Sequence, residues 1–174
     1  MPPGFFHRDN FQMETATSYF NSSLGVLRIS ADEKGITEVH FSKEKERREN
    51  GDHPFVRECM TQLEDYFSGK LREFDLPLNP AGTAFQLKVW KALLDIPYGK
   101  TISYLELAMT VGDKNSTRAV GSANGKNPIA IIIPCHRVIG HDGKLTGYGG
   151  GLWRKEWLLE HEGVLQRSKQ VSMF

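Results

Sequence analysis

The rhythm of apolar and polar positions changes about halfway along the chain and divides it into two regions. Residues 11–19, 24–30 and 36–41 are short β-rich runs separated by Asn21-Ser22-Ser23 and by Asp32-Glu33-Lys34-Gly35. Runs of this length between such turn formers predict strands joined by antiparallel hairpins. Residues 43–52 are charge-rich and read as a solvated loop. Over residues 54–68 the period lengthens, with Val56, Met60, Leu63 and Phe67 recurring at three- and four-residue steps, which predicts a helix with one buried face that stops at Gly69.

Residues 70–82 include two prolines and little helical period, so they read as a link. Beyond it, helix starts crowd together. Thr83 with Gln86 and Ser103 with Glu106 have the spacing of capping boxes, in which an N-cap hydroxyl and a side chain three residues on satisfy free backbone donors. They predict helices near 84–94 and 104–111, the second ending before Gly112, with Asn115 or Ser116 capping a further short helix to about Asn124. Two helices joined by a short turn containing Gly have the outline of a helix-turn-helix, although two packed helices with no DNA contact give the same pattern. Residues 129–133 form a continuous β-branched apolar run, which predicts a buried strand leading into Pro134-Cys135-His136-Arg137. A turn at 140–143, a glycine-rich loop at 147–151 and an amphipathic helix at 152–161, stopped by Gly163, complete the pattern. The predicted fold class is mixed α/β (α+β), with a small antiparallel sheet and a helix over 1–80, a mostly helical region over 81–168 and a tail over 169–174.

Composition adds bounds. With 39% hydrophobic and 25% charged residues, the 174-residue chain has the make-up of a globular protein. Its longest apolar run, 129–134, is far short of the ~18–20 residues that span a bilayer. The amino terminus has no basic-then-apolar signal pattern, so no membrane partner and an intracellular, cytoplasmic location are expected. Cys59 and Cys135 accordingly read as separate reduced thiols. The net charge of +1 conceals an asymmetry: residues 1–80 have 10 Lys+Arg against 14 Asp+Glu, or −4, whereas 81–174 have 12 against 7, or +5. That imbalance suits an anionic partner for the second half, and equally a solvated surface.

Chemistry concentrates at one place. His40, His53 and Cys59 make no standard metal-ligand pattern, and no metal is expected. Cys135 differs from an ordinary buried thiol because an imidazole and a guanidinium follow it directly, and either favours the nucleophilic thiolate. Adjacent side chains on a strand point to opposite faces, however, so spacing alone leaves both an inert and a reactive Cys135 open.

The stretch Asn127-Pro128, continued by Ile131-Ile132-Ile133-Pro134-Cys135-His136-Arg137-Val138-Ile139, resembles the active-site signature of the O6-alkylguanine-DNA alkyltransferases, the methylated-DNA–protein-cysteine methyltransferases. Residues 97–104, 118–121, 147–148 and 155–163 resemble family segments in the same register. The resemblance is dense over 83–165 and covers the first 80 residues only in general plan. It implies a ribonuclease-H-like amino-terminal domain and a winged-helix-like second domain that holds the active site. The implied reaction is irreversible, single-turnover transfer of an alkyl group from O6 of guanine, and also from O4 of thymine, to Cys135. No cofactor is implied, and the partner is double-stranded DNA bound by a monomer.

Residue by residue, the resemblance makes His136 the proton acceptor through a water and Glu162 the group that orients it. Asn127 matches an asparagine that ties the DNA-binding helix to the active-site turn, and Tyr104 a tyrosine that hydrogen-bonds the leaving guanine. Because a protein cysteine cannot reach a stacked base, the nucleotide must be flipped out at a cost of roughly a few kcal/mol. Arg118 matches the arginine that fills the resulting gap, with Ser103, Tyr104 and Ser116 on the same DNA-facing side. Ala119, Gly121, Ser122 and Ala123 would let that helix approach the minor groove closely. Val138, Tyr148 and Gly149 match the wall of the guanine pocket. Two departures stand out: Gly149 occupies a position where some relatives carry serine, and the amino-terminal half lacks the cysteine and histidine zinc ligands of others. With no extra regulatory domain, the simple repair form is expected rather than a transcriptional activator. The rival readings are a non-catalytic sensor of alkylated bases, in which the cysteine is replaced, and a cysteine hydrolase, which needs an oxyanion site.

Overall fold

Alternation along three strands puts one apolar face inward and builds the first half of the molecule. The computed structural model describes residues 15–43 and 48–166, so the start of the run predicted at 11–19, part of the charged loop and the predicted tail lie outside the described residues. Strands β1 (Ala16–Ser22), β2 (Gly25–Ala31) and β3 (Ile36–Phe41) form an antiparallel sheet in that order. Ser22 Oγ closes the first hairpin by donating to Gly25 O (2.7 Å) and accepting from Leu24 N (3.1 Å). In the second, Asp32 Oδ1 accepts from the amides of Lys34 (2.9 Å) and Gly35 (3.1 Å). Gly35 is needed for close approach: a Cβ there would lie 2.4 Å from Pro77 O.

Helix α1 (Pro54–Phe67) covers the sheet with Val56, Cys59, Leu63 and Tyr66. Its predicted face is rotated slightly, since Tyr66 is buried while Met60 and Phe67 are half-buried at its edge. His53 caps it, Nδ1 accepting from Phe55 N at 3.1 Å. The proline-containing link is tied down along β3, with Ile36 N donating to Pro77 O (2.8 Å) and Asn79 N to Ile36 O (2.7 Å).

In the second half, α2 (Ala84–Leu93) and α3 (Tyr104–Thr110) both start at fully formed capping boxes. A two-residue strand, β4 (Ile102–Ser103), precedes α3. The connection to α4 (Thr117–Gly125) is longer than the short turn expected, because a 3-10 turn, Lys114–Ser116, intervenes. Its cap is Asp113, whose Oδ1 accepts from Asn115 N (2.8 Å), while Ser116 makes no side-chain cap bond to α4. Strand β5 (Val138–Ile139) pairs in parallel with β4, and α5 (Leu152–His161) has the predicted bounds.

The main correction concerns residues 129–133, which form a succession of tight turns and no strand. Ile132 N donates to Ala130 O (2.8 Å), Ile133 N to Ile129 O (3.0 Å) and Cys135 N to Ile133 O (2.8 Å). Ile131 has φ +71°, the one positive value outside glycine among the described residues, a conformation that costs a β-branched residue of order 1–3 kcal/mol. The run is apolar because it is buried between the two halves. Burial alone does not specify backbone conformation. Only its start pairs with the sheet, Val39 N donating to Pro128 O (2.9 Å) and Ala130 N to Val39 O (2.8 Å).

Candidate active site

Those turns deliver the chain to a 3-10 turn, Cys135–Arg137. Cys135 borders a cavity of about 250 Å³ whose walls come from the end of α4 (Asn124, Gly125), the glycine-rich loop (Gly147–Gly150) and the end of β3 (His40, Phe41). The thiol is buried. Burial pushes its pKa up, while a hydrogen bond from Asn127 and the charge of Lys155 pull it down without cancelling the rise. The resting group is therefore a thiol that needs a proton acceptor before it attacks. The His136 ring and the Arg137 guanidinium pair with Glu162, and the side chains that favour the thiolate are Asn127 and Lys155.

His136 is fully buried. Its Nε2 lies 2.7 Å from Glu162 Oε1, whereas Nδ1 has no hydrogen-bond partner within the protein. Burial lowers the imidazole pKa more than Glu162 raises it, so the ring is neutral near pH 7. A neutral ring that donates from Nε2 to a carboxylate carries its lone pair on Nδ1, the free side.

Glu162, just past the end of α5, is also buried. Its oxygens accept from His136, from Arg137 Nε (2.8 Å) and Nη2 (3.0 Å), and from Tyr66 OH (2.8 Å). Burial works to raise its pKa, but the hydrogen bonds and charges of His136 and Arg137 win and hold it well below the ordinary carboxylate value. Arg137 is itself completed by Ile96 O, at 2.6 Å from Nη1. A fully paired carboxylate thus fixes the imidazole, and α1 of the first half supplies one of its partners.

Lys155 is a site residue for which no role was predicted from the sequence. Its Nζ donates to the carbonyls of Val138 (2.6 Å), Thr146 (2.9 Å) and Gly147 (3.4 Å), which binds the glycine-rich loop to the active-site segment. Burial lowers its pKa to about 8, even though the charge of Cys135 works to raise it. Its sequence signal was the stripe Lys155, Leu158, Leu159 and Glu162 at i, i+3, i+4 and i+7, which places two charges on the apolar face of a helix.

The other expected residues divide into two groups. Asn127 staples the turns, its Nδ2 donating to Ile133 O (2.8 Å) and Ile129 O (3.3 Å). The direct tie from α4 to the cysteine segment is Asn124, whose Nδ2 donates to Cys135 O at 3.4 Å. Tyr148 and Gly149 line the cavity, and the buried Tyr148 hydroxyl has no partner within the protein. A Cβ at Gly149 would be 3.9 Å from Gly125 O, so a small side chain has room there and glycine leaves that space open. Val138 is not among the lining residues: its side chain is in the core and its carbonyl holds Lys155.

Ser103, Tyr104, Ser116 and Arg118 lie at the starts of α3 and α4, outside the cavity. Tyr104 OH donates to Thr146 O (3.0 Å), and its ring rests near Gly121 of α4. Helix α4 exposes Arg118, Ala119 and Ser122 and buries Val120, Ala123 and Asn124, so a small-residue face with one cation points outward. Among the described residues no group of three or more His, Cys, Asp or Glu is placed to hold a metal ion, and no helix is long and apolar enough to cross a membrane.

Two family models match consecutive parts of the chain. The ribonuclease-like domain of 6-O-methylguanine DNA methyltransferase covers residues 16–80, and the DNA-binding domain of the same family covers 84–164. A methylated-DNA–protein-cysteine methyltransferase of Methanosarcina acetivorans is 51% identical over 149 residues, 83% of this chain and 96% of the relative. The crystal structure of Mycobacterium tuberculosis O6-methylguanine methyltransferase superposes with a TM-score of 0.78 at 44% identity, over 88% of this chain and 96% of that one. A second structure, the M. tuberculosis OGT in complex with DNA, superposes with a TM-score of 0.76 at 49% identity, over 83% and 90% of the two chains.

Proposed function

The chain belongs to the 6-O-methylguanine DNA methyltransferase family, whose activity is DNA repair by alkyl transfer to a protein cysteine, and we propose that its own acceptor is Cys135. The observation that carries this reading is a buried thiol on a cavity wall beside a neutral imidazole whose orientation an ionised Glu162 fixes. In the proposed step the thiol proton passes through a bridging water to His136 Nδ1. Sγ then bonds to the alkyl carbon while the carbon–O6 bond breaks, and its electron pair leaves with guanine, which Tyr104 stabilises by a hydrogen bond once its hydroxyl turns from Thr146 O. The imidazolium formed faces Glu162, which lowers its energy. Because a thioether is a poor leaving group, the protein is consumed: one molecule repairs one lesion.

The substrate proposed is O6-alkylguanine flipped out of double-stranded DNA, with O4-alkylthymine open to the same chemistry. Arg118, exposed on α4, fills the gap left in the duplex, and Ser103, Ser116 and the small residues of that helix approach the minor groove. Every group named comes from one chain, which suits a monomer, and the free thiol suits an intracellular, cytoplasmic setting. A non-catalytic sensor of the same fold has no use for the cysteine. A hydrolase would turn over.

The test uses a duplex with a radiolabelled alkyl group on O6 of guanine. Label is expected on the peptide containing Cys135, saturating at one equivalent; label elsewhere, or repeated turnover, defeats the reading. Arg118→Ala is expected to slow repair in duplex by about tenfold or more, the loss of a contact that offsets the few kcal/mol of flipping. Its reaction with free O6-benzylguanine, which needs no flipping, should be unaffected, and equal losses in the two assays would remove Arg118 from that role.

A further inference from the structure

Phe41 ends β3 with its ring half-buried, two residues beyond the Val39 whose backbone pairs with Pro128 and Ala130. That pairing pins the end of the strand to the segment that carries Cys135. His40 and Phe41 therefore border the acceptor cavity although they belong to the half of the chain without reacting groups. Two neighbours fix the Phe41 ring. It lies against Gly150, where an added Cβ would come within 2.8 Å of Phe41 Cδ2 and 3.0 Å of Cε2. The Arg154 guanidinium also lies over it, 4.2 Å from the ring centroid. Arg154 in turn donates to Leu24 O (2.7 Å) in the first hairpin and to Gly150 O (2.7 Å) in the glycine-rich loop. Sheet, loop and helix thus clamp the ring, and a clamped ring cannot turn aside to admit a bulky group.

We propose that Phe41 sets the upper size of the alkyl group the cavity accepts, so that substrate range is determined by the amino-terminal sheet. This rests on the assignment of Cys135 as acceptor. A cavity of about 250 Å³ has to hold the guanine together with its substituent. Methyl adds little to the base, whereas benzyl adds a ring that must share the space with Phe41 and Tyr148. Gly149 and Gly150 contribute no side chains to that wall, and of the two lining residues from outside the active-site domain, His40 and Phe41, it is Phe41 whose ring is clamped against the glycine-rich loop.

Single-turnover transfer is measured from duplexes carrying O6-methylguanine or O6-benzylguanine, for the wild type and for Phe41→Leu, Phe41→Ala and Phe41→Trp. The benzyl-to-methyl rate ratio is expected to rise in the two smaller variants, by about tenfold or more for Ala, the scale of gaining a few methylenes of apolar space. It is expected to fall for Trp. The ratio cancels any loss of folded protein. An unchanged ratio in both smaller variants overturns the role of Phe41. Mapping the wild-type label in the same experiment separates the two readings: label away from Cys135 undoes the acceptor, while label on Cys135 with an unchanged ratio undoes only Phe41.

Discussion

Cys135→Ala is expected to abolish transfer outright while leaving the affinity for alkylated duplex unchanged. The loss is of a different kind from that produced at any other site residue. Removing a proton acceptor slows a reaction by about 10²–10⁴-fold, because water substitutes poorly for it. Removing the acceptor atom leaves no product to form, however long the incubation. Binding should survive because the exposed face of α4 and the backbone around Cys135 do not depend on its sulfur: the amide donates to Ile133 O and the carbonyl accepts from Asn124. The substitution truncates one atom beside an existing cavity, so its cost in stability is about 1 kcal/mol or less. Gel-shift titration with a duplex containing O6-methylguanine, run beside the label-transfer assay, checks both halves. Residual transfer would end the assignment of Cys135, and loss of binding would show that the thiol contributes to recognition as well as to chemistry.

The elements were legible in the sequence where the signal was local. The boxes Thr83/Gln86 and Ser103/Glu106 close within one helical turn, and each starts a helix at the predicted residue. The reactive segment was legible too, from resemblance more than from spacing. What could not be read was tertiary. Tyr66 meets Glu162 across 96 residues and Arg137 meets it across 25, so no window of sequence shows that one carboxylate gathers both. The pairing of His136 with Glu162 was equally hidden, because the two lie 26 residues apart and the run predicted as a strand is a series of turns that ends in the 3-10 turn Cys135–Arg137. Asn124 and Lys155 carry ties to the active-site segment beside the one expected of Asn127. The Lys155–Glu162 stripe could have been noticed, because two charges on the buried face of an amphipathic helix require partners.

Glu162→Gln is expected to lower both stability and transfer, and the pH dependence separates its electrostatic role from mere packing. The amide keeps the shape of the carboxylate but presents NH₂ donors to His136 and Arg137, which are donors themselves. Leaving a buried guanidinium without its counter-charge costs about 3–5 kcal/mol. Transfer should slow by about 10²–10⁴-fold, because the imidazole loses the group that fixes its proton on Nε2. The carboxylate pKa lies well below its ordinary 4.5 in the fold, so its contribution to stability is complete above that value and drains away as pH falls below it. His136, lowered from 6.5, works in the same direction: below 6.5 the unfolded chain takes up a proton that the folded one refuses. The wild type should therefore lose stability in two stages, first below about pH 6.5 and then more steeply below about 4.5. Glu162→Gln lacks the share of the second stage that Glu162 contributes, although Asp32 and Glu106 still titrate in it, so the stability gap between the two proteins should narrow from pH 7 to pH 3.5. Urea unfolding at pH 7, 5 and 3.5 measures it. A gap that stays constant across that range would mean that Glu162 stabilises the fold by shape rather than by charge.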